Sequence, residues 1–168
     1  GYLRISNFQR NTTNEMRQQL GELQEKLPLQ GLILDLRNNP GGLLDQAVSV
    51  SDLFLEQGLI VYTRGRNKDQ DLTFEAKADT TLTRFPLVLL VNEGTASASE
   101  IVAGAVQDHR RGVIVGTQTF GKGSVQTIVP VNERTAVKLT TARYFTPNGR
   151  SIQAEGIVPD IQLGNVQL

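Results

Sequence analysis

The sequence predicts an α/β fold in which strands alternate with helices and β-hairpins are added to that core. Apolar runs of strand length at 31–36 and 87–91 are each followed by a turn and then by an amphipathic segment with the helical period. Two further pairs of strand-like runs are joined by short polar turns, which is typical of hairpins. At 168 residues the chain has the length of one ordinary domain.

The first half of the chain is predicted to form strand, helix, strand and helix. Residues 2–8 alternate apolar and polar side chains, as a half-buried strand does. Thr12, with Glu15 three residues later, is predicted to start a helix that ends before Pro28. The strand at 31–36 leads into the loop RNNPGG, and a second helix is predicted over about 44–56. The apolar stripes of the two helices are Met16, Leu20, Leu23 and Leu27, then Leu44, Ala47, Val48 and Leu55.

The second half starts with a predicted hairpin, in which strands at 59–64 and 72–78 flank a polar turn. The strand at 87–91 leads into a helix, a strand follows at 112–116, and a second hairpin pairs 124–131 with 136–145. The tail at 147–160 is expected to be extended and looped. In an α/β sheet, ligands bind at the carboxyl ends of strands. Three such ends carry candidate chemistry, at 37–42, 92–99 and 117–124.

Composition and charge exclude several classes of function. Acidic and basic residues balance at 17 each, so net charge does not draw the protein to nucleic acid or to an anionic membrane. The chain has no cysteine, which excludes disulfides and thiolate chemistry. With His109 as the one histidine, a zinc site would depend on carboxylates, so no metal is expected. No apolar run is long enough to span a membrane.

Ser97 lies where the apolar strand passes into a helix that carries Ile101 and Val102. At such a turn the unpaired N–H groups and the positive end of the helix dipole face outward, which suits a nucleophile. Glu100, three residues later, indicates a simpler role, because Ser and Glu at this spacing form a capping box. From these residues alone, the cap is the better interpretation.

Residues 116–122 match the first seven positions of a phosphate-binding P-loop, and a strand precedes them. Gly123 stands where the motif requires Ser or Thr, and the following SVQTIVPV is typical of a strand. Without a helix N-terminus there is nothing to hold a phosphate, so nucleotide binding is not expected.

A serine nucleophile needs a base, and His109 cannot supply it. His109 lies at the far end of the helix that Ser97 begins, about 18 Å away at 1.5 Å per residue, where it would interact with the helix C-terminus. Lys122, between two glycines and beside Phe120, could serve if apolar surroundings kept it neutral. Gln126 would lie on the same face of an extended strand and could hold the amine without adding a charge. The simpler interpretation of Lys122 is a solvated lysine in a turn.

Five segments, in this order, resemble the protease core of the carboxyl-terminal processing, or tail-specific, serine proteases. They are GLILDLRNNPGG, LVNEGTASASEIVAGA, GTQTFGKGSVQT, LTTARYFTPNGRSIQ and GIVPDI, and family-like sequence extends to about residue 163. The resemblance implies a crotonase-like, or ClpP-like, α/β core. It also implies a serine endopeptidase that cleaves near the carboxyl terminus of protein substrates and needs no cofactor.

The resemblance assigns catalytic roles to three residues. The family's nucleophile falls on Ser97, whereas its neighbour Ser99 does not have the family's spacing to the lysine. The general base falls on Lys122, 122 − 97 = 25 residues further on, which is the family's separation. Gln126 matches the glutamine that orients the lysine. The resemblance therefore implies a Ser-Lys dyad.

The resemblance also implies an oxyanion hole. Its donors would be the backbone N–H of Ala98 and that of either Gly41 or Gly42, between which the sequence does not decide. A glycine there has no Cβ to obstruct the substrate. Asp35 and Arg37 are expected to order this loop rather than to catalyse.

Members of the family usually carry an upstream segment and a PDZ domain, and neither is found in residues 1–168. This predicts one catalytic core domain from a longer chain, in which the PDZ domain captures unstructured, apolar carboxyl-terminal tails. In the isolated core we expect the Ser97 hydroxyl to lie beyond hydrogen-bond reach of the Lys122 amine. The resemblance places the protein outside the cytoplasm, in the periplasm, cell envelope or thylakoid lumen, and leaves a homo-oligomer open.

Two other classes of function stay open. A crotonase-like module could bind apolar ligands, acyl thioesters or peptides without cleaving them, because fold does not fix function. A structural role in an envelope assembly is the second. The combination of Ser97 and Lys122 at the family's separation favours the enzyme.

Overall fold

The computed structural model describes residues 1–26, 28–78, 82 and 85–164. Within these residues the chain alternates strands and helices through its middle, as predicted. The strands are β1 (Tyr2–Arg4), β2 (Leu32–Asp35), β3 (Gly58–Gly65), β4 (Thr73–Ala76), β5 (Leu87–Val91), β6 (Val113–Gly116), β7 (Ser124–Asn132), β8 (Thr135–Phe145) and β9 (Ile161–Gln162). The α-helices are α1 (Thr12–Lys26), α2 (Leu44–Asp52) and α3 (Ala98–Asp108).

The first sheet is parallel, with the strand order β1-β2-β5-β6-β9. Its central strand β5 has the predicted bounds and buries Leu87, Leu89 and Val91. Because β2, β5 and β6 are parallel neighbours, the loops that follow them emerge at the same edge of the sheet. This edge carries the three strand ends singled out from the sequence.

The second sheet is antiparallel, with the strand order β4-β3-β8-β7. It contains both predicted hairpins, β3–β4 and β7–β8. The second hairpin turns after Asn132, whose side-chain oxygen accepts hydrogen bonds from the N–H groups of Arg134 and Thr135. Much of this hairpin is exposed, and Ile128 and Val131 are 67% and 65% accessible.

Helix α3 is central to the core, since every residue from Ala98 to Val106 is buried. It contacts α2, β3 and β6, so it packs against elements of both sheets. No helix in the described part of the chain is long and apolar enough to cross a membrane. The largest fully buried side chains are Phe8, Leu20, Leu32, Leu34, Leu36, Leu53, Phe54, Ile60, Leu89, Ile114, Ile152 and Ile157.

The predicted second helix was too long, because α2 ends at Asp52 rather than near residue 56. Beyond it, the Phe54 N–H donates to the Ser51 carbonyl at 3.0 Å and the chain turns. Leu53, Phe54 and Leu55 are buried core residues in that turn. Because these three residues are apolar, the helical pattern in the sequence continued through them. In the structure they are buried in a turn and not in a helix.

The ends of the chain also differ from prediction. β1 stops at Arg4 rather than at residue 8, and Phe8 forms a single bridge to Gly42. β9 lies beyond the predicted extended tail and was not predicted from the sequence. It pairs with β6. Leu27, assigned to the stripe of α1, lies outside the described residues.

Candidate active site

The three loops that follow β2, β5 and β6 are joined by hydrogen bonds. Asn38 and Asn92 bond reciprocally, since the Asn38 N–H donates to Asn92 Oδ1 at 2.8 Å and Asn92 Nδ2 donates to Asn38 Oδ1 at 2.9 Å. The Phe120 N–H donates to the Thr95 carbonyl at 3.0 Å and so connects the third loop. The parallel sheet thus brings the three sequence segments into one site.

Ser97 is the N-cap residue of α3, at the sharp turn between β5 and the helix. Its φ of 58° and ψ of −116° lie in a region that residues with a side chain rarely adopt. Such a conformation costs on the order of 1–3 kcal/mol and persists only where its surroundings enforce it. A strained serine between a strand and a helix is a known way to expose a nucleophile. Ser97 itself is half-buried.

The predicted capping box of Ser97 and Glu100 is present. The Glu100 carboxylate accepts a hydrogen bond from the Ser97 N–H at 2.7 Å. Thr95 and Ser99, the two other residues with hydroxyl groups near the start of the helix, are not its N-cap. Thr95 Oγ1 donates to the Leu36 carbonyl at 2.8 Å, and Ser99 Oγ donates to the Asn39 carbonyl at 3.1 Å. Both hydroxyls bind the helix start to the loop after β2.

Gly41 and Gly42 differ in how their N–H groups are used. The Gly41 N–H donates to Asn39 Oδ1 at 2.9 Å, whereas no acceptor for the Gly42 N–H is found among the described residues. The Gly41 φ is +98°, and a Cβ on Gly41 would lie 2.8 Å from Ser97 Cβ and 2.9 Å from the Ala98 nitrogen. This loop therefore approaches the Ser97 turn more closely than any residue with a side chain could.

Asn39 organises the same loop from a fully buried position. The side-chain Nδ2 of Asn39 donates to the Ile5 carbonyl at 2.8 Å, while the backbone carbonyl of Asn39 accepts a hydrogen bond from the Ala96 N–H at 2.9 Å. Because the Gly41 N–H donates to Asn39 Oδ1, both the nitrogen and the oxygen of the side-chain amide have a hydrogen-bond partner. Sequence reasoning missed this role, for which the Asn-Pro-Gly pattern of a turn was the available signal.

Asp35 and Arg37 form an ion pair at the base of the loop, as expected for loop-ordering residues. Asp35 accepts from Arg37 Nε at 2.9 Å, Arg37 Nη2 at 2.7 Å and Tyr2 Oη at 2.7 Å. Burial raises the pKa of the Asp35 carboxyl, but the hydrogen bonds from Arg37 and Tyr2 outweigh it and hold that pKa at about 2. The ionised carboxylate therefore fixes the first residues of the loop.

Lys122 and Gln126 lie on the other side of the site, and both side chains are exposed. Lys122 leads into β7, in which Gln126 is the third residue. Among the described residues, no hydrogen bond is found between the Ser97 hydroxyl and the Lys122 amine, or between the side chains of Lys122 and Gln126. The backbone of Lys122 is held more firmly, because its N–H donates to Glu100 Oε2 at 2.9 Å.

The P-loop-like segment and His109 have the surroundings that the sequence predicted. The segment after Gly123 is strand β7, so the P-loop-like segment has no helix to receive a phosphate. His109 is the C-cap residue of α3, and its Nε2 lies 2.6 Å from the Leu59 carbonyl oxygen. Among the described residues, no group of three or more His, Cys, Asp and Glu side chains could hold a metal ion.

Comparison with known proteins identifies the family. The family model described as peptidase family S41 matches residues 1–163. The chain belongs to peptidase family S41. This S41 core is 55% identical over 164 residues to the carboxy-terminal-processing protease of Bartonella bacilliformis, covering 96% of the chain and 38% of the relative. It is 45% identical over 160 residues to the carboxyl-terminal-processing protease of Synechocystis sp., covering 95% of the chain and 37% of the relative.

Solved structures agree with this assignment. The S41 core superposes on the photosystem II D1 C-terminal processing protease with a TM-score of 0.89 at 41% sequence identity, covering 97% of the chain and 42% of that protein. The predicted resemblance to carboxyl-terminal processing proteases and the mixed α/β class are both confirmed. The chain spans less than two fifths of the length of the two relatives named above.

Proposed function

We propose that the chain is the catalytic core of a serine endopeptidase that cleaves protein substrates near their carboxyl termini. Ser97 is the nucleophile, Lys122 the general base and Gln126 the residue that orients the lysine. The observation that carries the proposal is the conformation of Ser97 at the N-terminus of α3, with Gly41 packed against it. The family assignment supports it, because the relatives are named carboxyl-terminal processing proteases.

The chemistry proceeds in two steps. Neutral Lys122 takes the proton of the Ser97 hydroxyl as the oxygen attacks the peptide carbonyl, and then gives it to the leaving amine. This leaves an acyl-enzyme on Ser97. Water attacks the ester with Lys122 again as the base, which releases the shortened protein and restores the hydroxyl.

The oxyanion of each tetrahedral intermediate is bound by the N–H groups of Ala98 and, of the two glycines, Gly42. Gly41 is unsuitable as an oxyanion donor because its N–H already donates a hydrogen bond to Asn39 Oδ1. No acceptor among the described residues takes the N–H of Ala98 or Gly42. Each such donor is worth roughly 3 kcal/mol of transition-state stabilisation, and the positive end of the α3 dipole adds to it.

We infer that the active protein has further parts beyond this catalytic core, since the core spans less than two fifths of the length of the named relatives. We propose that the full-length protein also has an upstream segment and a PDZ domain, which captures an unstructured, apolar carboxyl-terminal tail of the substrate. The exposed Lys122 supports a role for further parts of the protein, since a lysine base must be shielded from water to be neutral. From the family resemblance we also propose that the protein acts outside the cytoplasm, in the periplasm, cell envelope or a thylakoid lumen.

The proposal is tested by peptide cleavage with the full-length protein that carries this core. The substrate is an unstructured peptide with an apolar tail, and products are identified by mass spectrometry. Ser97→Ala and Lys122→Ala are each expected to lower the rate at least about 10³-fold, because a nucleophile and its base act as a unit. Ser49→Ala in α2 and Lys68→Ala, at an exposed position between β3 and β4, serve as matched controls and should leave the rate unchanged.

The same experiment separates the peptidase from a non-catalytic module. If wild-type protein binds the peptide but never cleaves it, and both alanine variants bind equally well, the enzymatic proposal is wrong. A crotonase-like binding module would then be the better description.

A further inference from the structure

Glu100 has more partners than a capping residue needs. Its side chain is fully buried, and its carboxylate accepts four hydrogen bonds. Oε2 accepts from the N–H of Ser97 at 2.7 Å and of Lys122 at 2.9 Å. Oε1 accepts from the N–H of Gly121 at 2.7 Å and from Thr119 Oγ1 at 2.6 Å. Two oxygens thus meet four donors, which saturates a carboxylate.

These contacts connect two distant parts of the sequence. Ser97 belongs to the start of α3, whereas Thr119, Gly121 and Lys122 belong to the loop between β6 and β7. One oxygen, Oε2, receives the backbone N–H of both the proposed nucleophile and the proposed base. The backbones of Ser97 and Lys122 cannot separate without breaking a charge-assisted hydrogen bond in the protein interior.

Thr119 extends this network to the tail of the chain. Its hydroxyl accepts the Ile157 N–H at 2.7 Å, so its own proton is directed to Glu100. Gly156 lies so close that a Cβ on it would stand 2.5 Å from the Thr119 carbonyl oxygen. The tail therefore supports the loop that carries Lys122.

The chemistry of the acceptor distinguishes a cap from this bridge. A capping box works with Glu or Gln at this position. Four converging donors need two acceptor oxygens, and a Gln would turn its NH₂ group toward two of those donors. A buried donor left without an acceptor is costly. The arrangement therefore requires a carboxylate, although the helix cap alone does not.

We propose that Glu100 is a positioning residue, which fixes the backbone of Lys122 relative to that of Ser97 through a single buried carboxylate. The inference rests on the proposed Ser-Lys chemistry. A displacement of about 1 Å at reacting groups can cost about 100-fold in rate. Glu100 thus acts through Ser97 and Lys122 without touching the substrate.

The test compares Glu100→Gln with Glu133→Gln, an exposed control in the β7–β8 turn, in the full-length protein. We expect Glu100→Gln to stay folded, to keep KM within about twofold and to lose about 100-fold in kcat. Its Gly121 and Lys122 amides should exchange with deuterium at least about tenfold faster, while β5 exchanges as before. A folded Glu100→Gln protein with unchanged kcat and unchanged exchange would overturn the inference.

Thr119 provides a second pair of variants in case Glu100→Gln does not fold. Thr119→Val removes one donor to the carboxylate and should cost about tenfold in kcat, whereas Thr119→Ser keeps the hydroxyl and should restore activity. Equal activity of both variants would contradict the bridge. If wild-type protein cleaves nothing, the proposed function fails, and the exchange measurement still decides whether Glu100 couples the two segments.

Discussion

Ser97 follows β5 at the centre of the parallel sheet, whereas Lys122 leads into β7 at the edge of the antiparallel sheet. The turn that carries Ser97 has several fixed contacts. The Ser97 N–H donates to Glu100, Gly41 packs against Ser97, and the hydroxyls of Thr95 and Ser99 donate to the loop after β2. On the Lys122 side the backbone is bound, but the side chain extends into solvent. The proposed nucleophile and oxyanion donors are therefore held in place within this chain, whereas the proposed base, Lys122, would need further contacts to be shielded from water.

Among the substitutions that test this difference between the two sides, Gly41→Ala is expected to have the largest effect. The new Cβ would lie 2.7 Å from the Ala96 carbonyl oxygen and 2.8 Å from Ser97 Cβ. The loop must move, so its oxyanion donor is displaced and kcat should fall about 10²- to 10³-fold. Peptide cleavage by the full-length protein measures this.

Gly149→Ala is the matched control for Gly41→Ala. Gly149 also has a positive φ, +83°, but its Cβ would meet only the Tyr62 hydroxyl at 3.5 Å. This variant carries the backbone strain without the clash at the site, so its kcat should match wild type. If the two variants lose activity equally, the Gly41 loop is not the fixed part of the site.

The next largest effect compares how much a substitution in each sheet lowers the free energy of unfolding. Leu89 is fully buried in β5, so Leu89→Ala should lower the free energy of unfolding by about 2–5 kcal/mol. Val131 is 65% exposed in β7, so Val131→Ala should change it by less than about 0.5 kcal/mol. Urea unfolding of the chain measures both. Equal losses would mean that the hairpin is as well packed as the parallel sheet.

A smaller, pH-dependent effect is expected at Asp35. Its folded pKa of about 2 lies below the ordinary value of 3.8. The carboxylate therefore contributes stability, on the order of 2 kcal/mol, that is fully present above pH 4 and is lost as the pH falls through 2. Asp35→Asn should be less stable than wild type at pH 7, and the difference should shrink toward pH 2. Asp69→Asn, which removes a carboxylate at an exposed position, is the control variant.

Local patterns predicted the elements that carry the site. The run Leu87–Val91 is bounded by residues that end a strand, so the bounds of β5 and the start of α3 were predicted as the structure has them. The pattern failed at Leu53, Phe54 and Leu55, which are apolar because they are buried and not because they are helical. The order of strands and the existence of β9 depend on pairing between distant segments, which periodicity does not encode.

The candidate site was predicted less completely than the fold. Motifs pointed to Ser97, to Lys122 and to Gly41 or Gly42 as candidates, whereas Glu100 was identified only as a cap. Its other three donors lie 19 to 22 residues further along the chain, beyond the range of a capping pattern. A buried carboxylate in an apolar helix is the signal that could have indicated a wider role, because such a charge needs several partners.

The central claim is that Lys122 activates Ser97, and the pH dependence of peptide cleavage tests it most directly. The full-length protein is assayed across pH as wild type and as Lys122→Ala. We expect the wild-type rate to rise with pH through a single ionisation, and we expect this ionisation to be absent from the residual activity of the variant. The same pH profile in both proteins would contradict a lysine base.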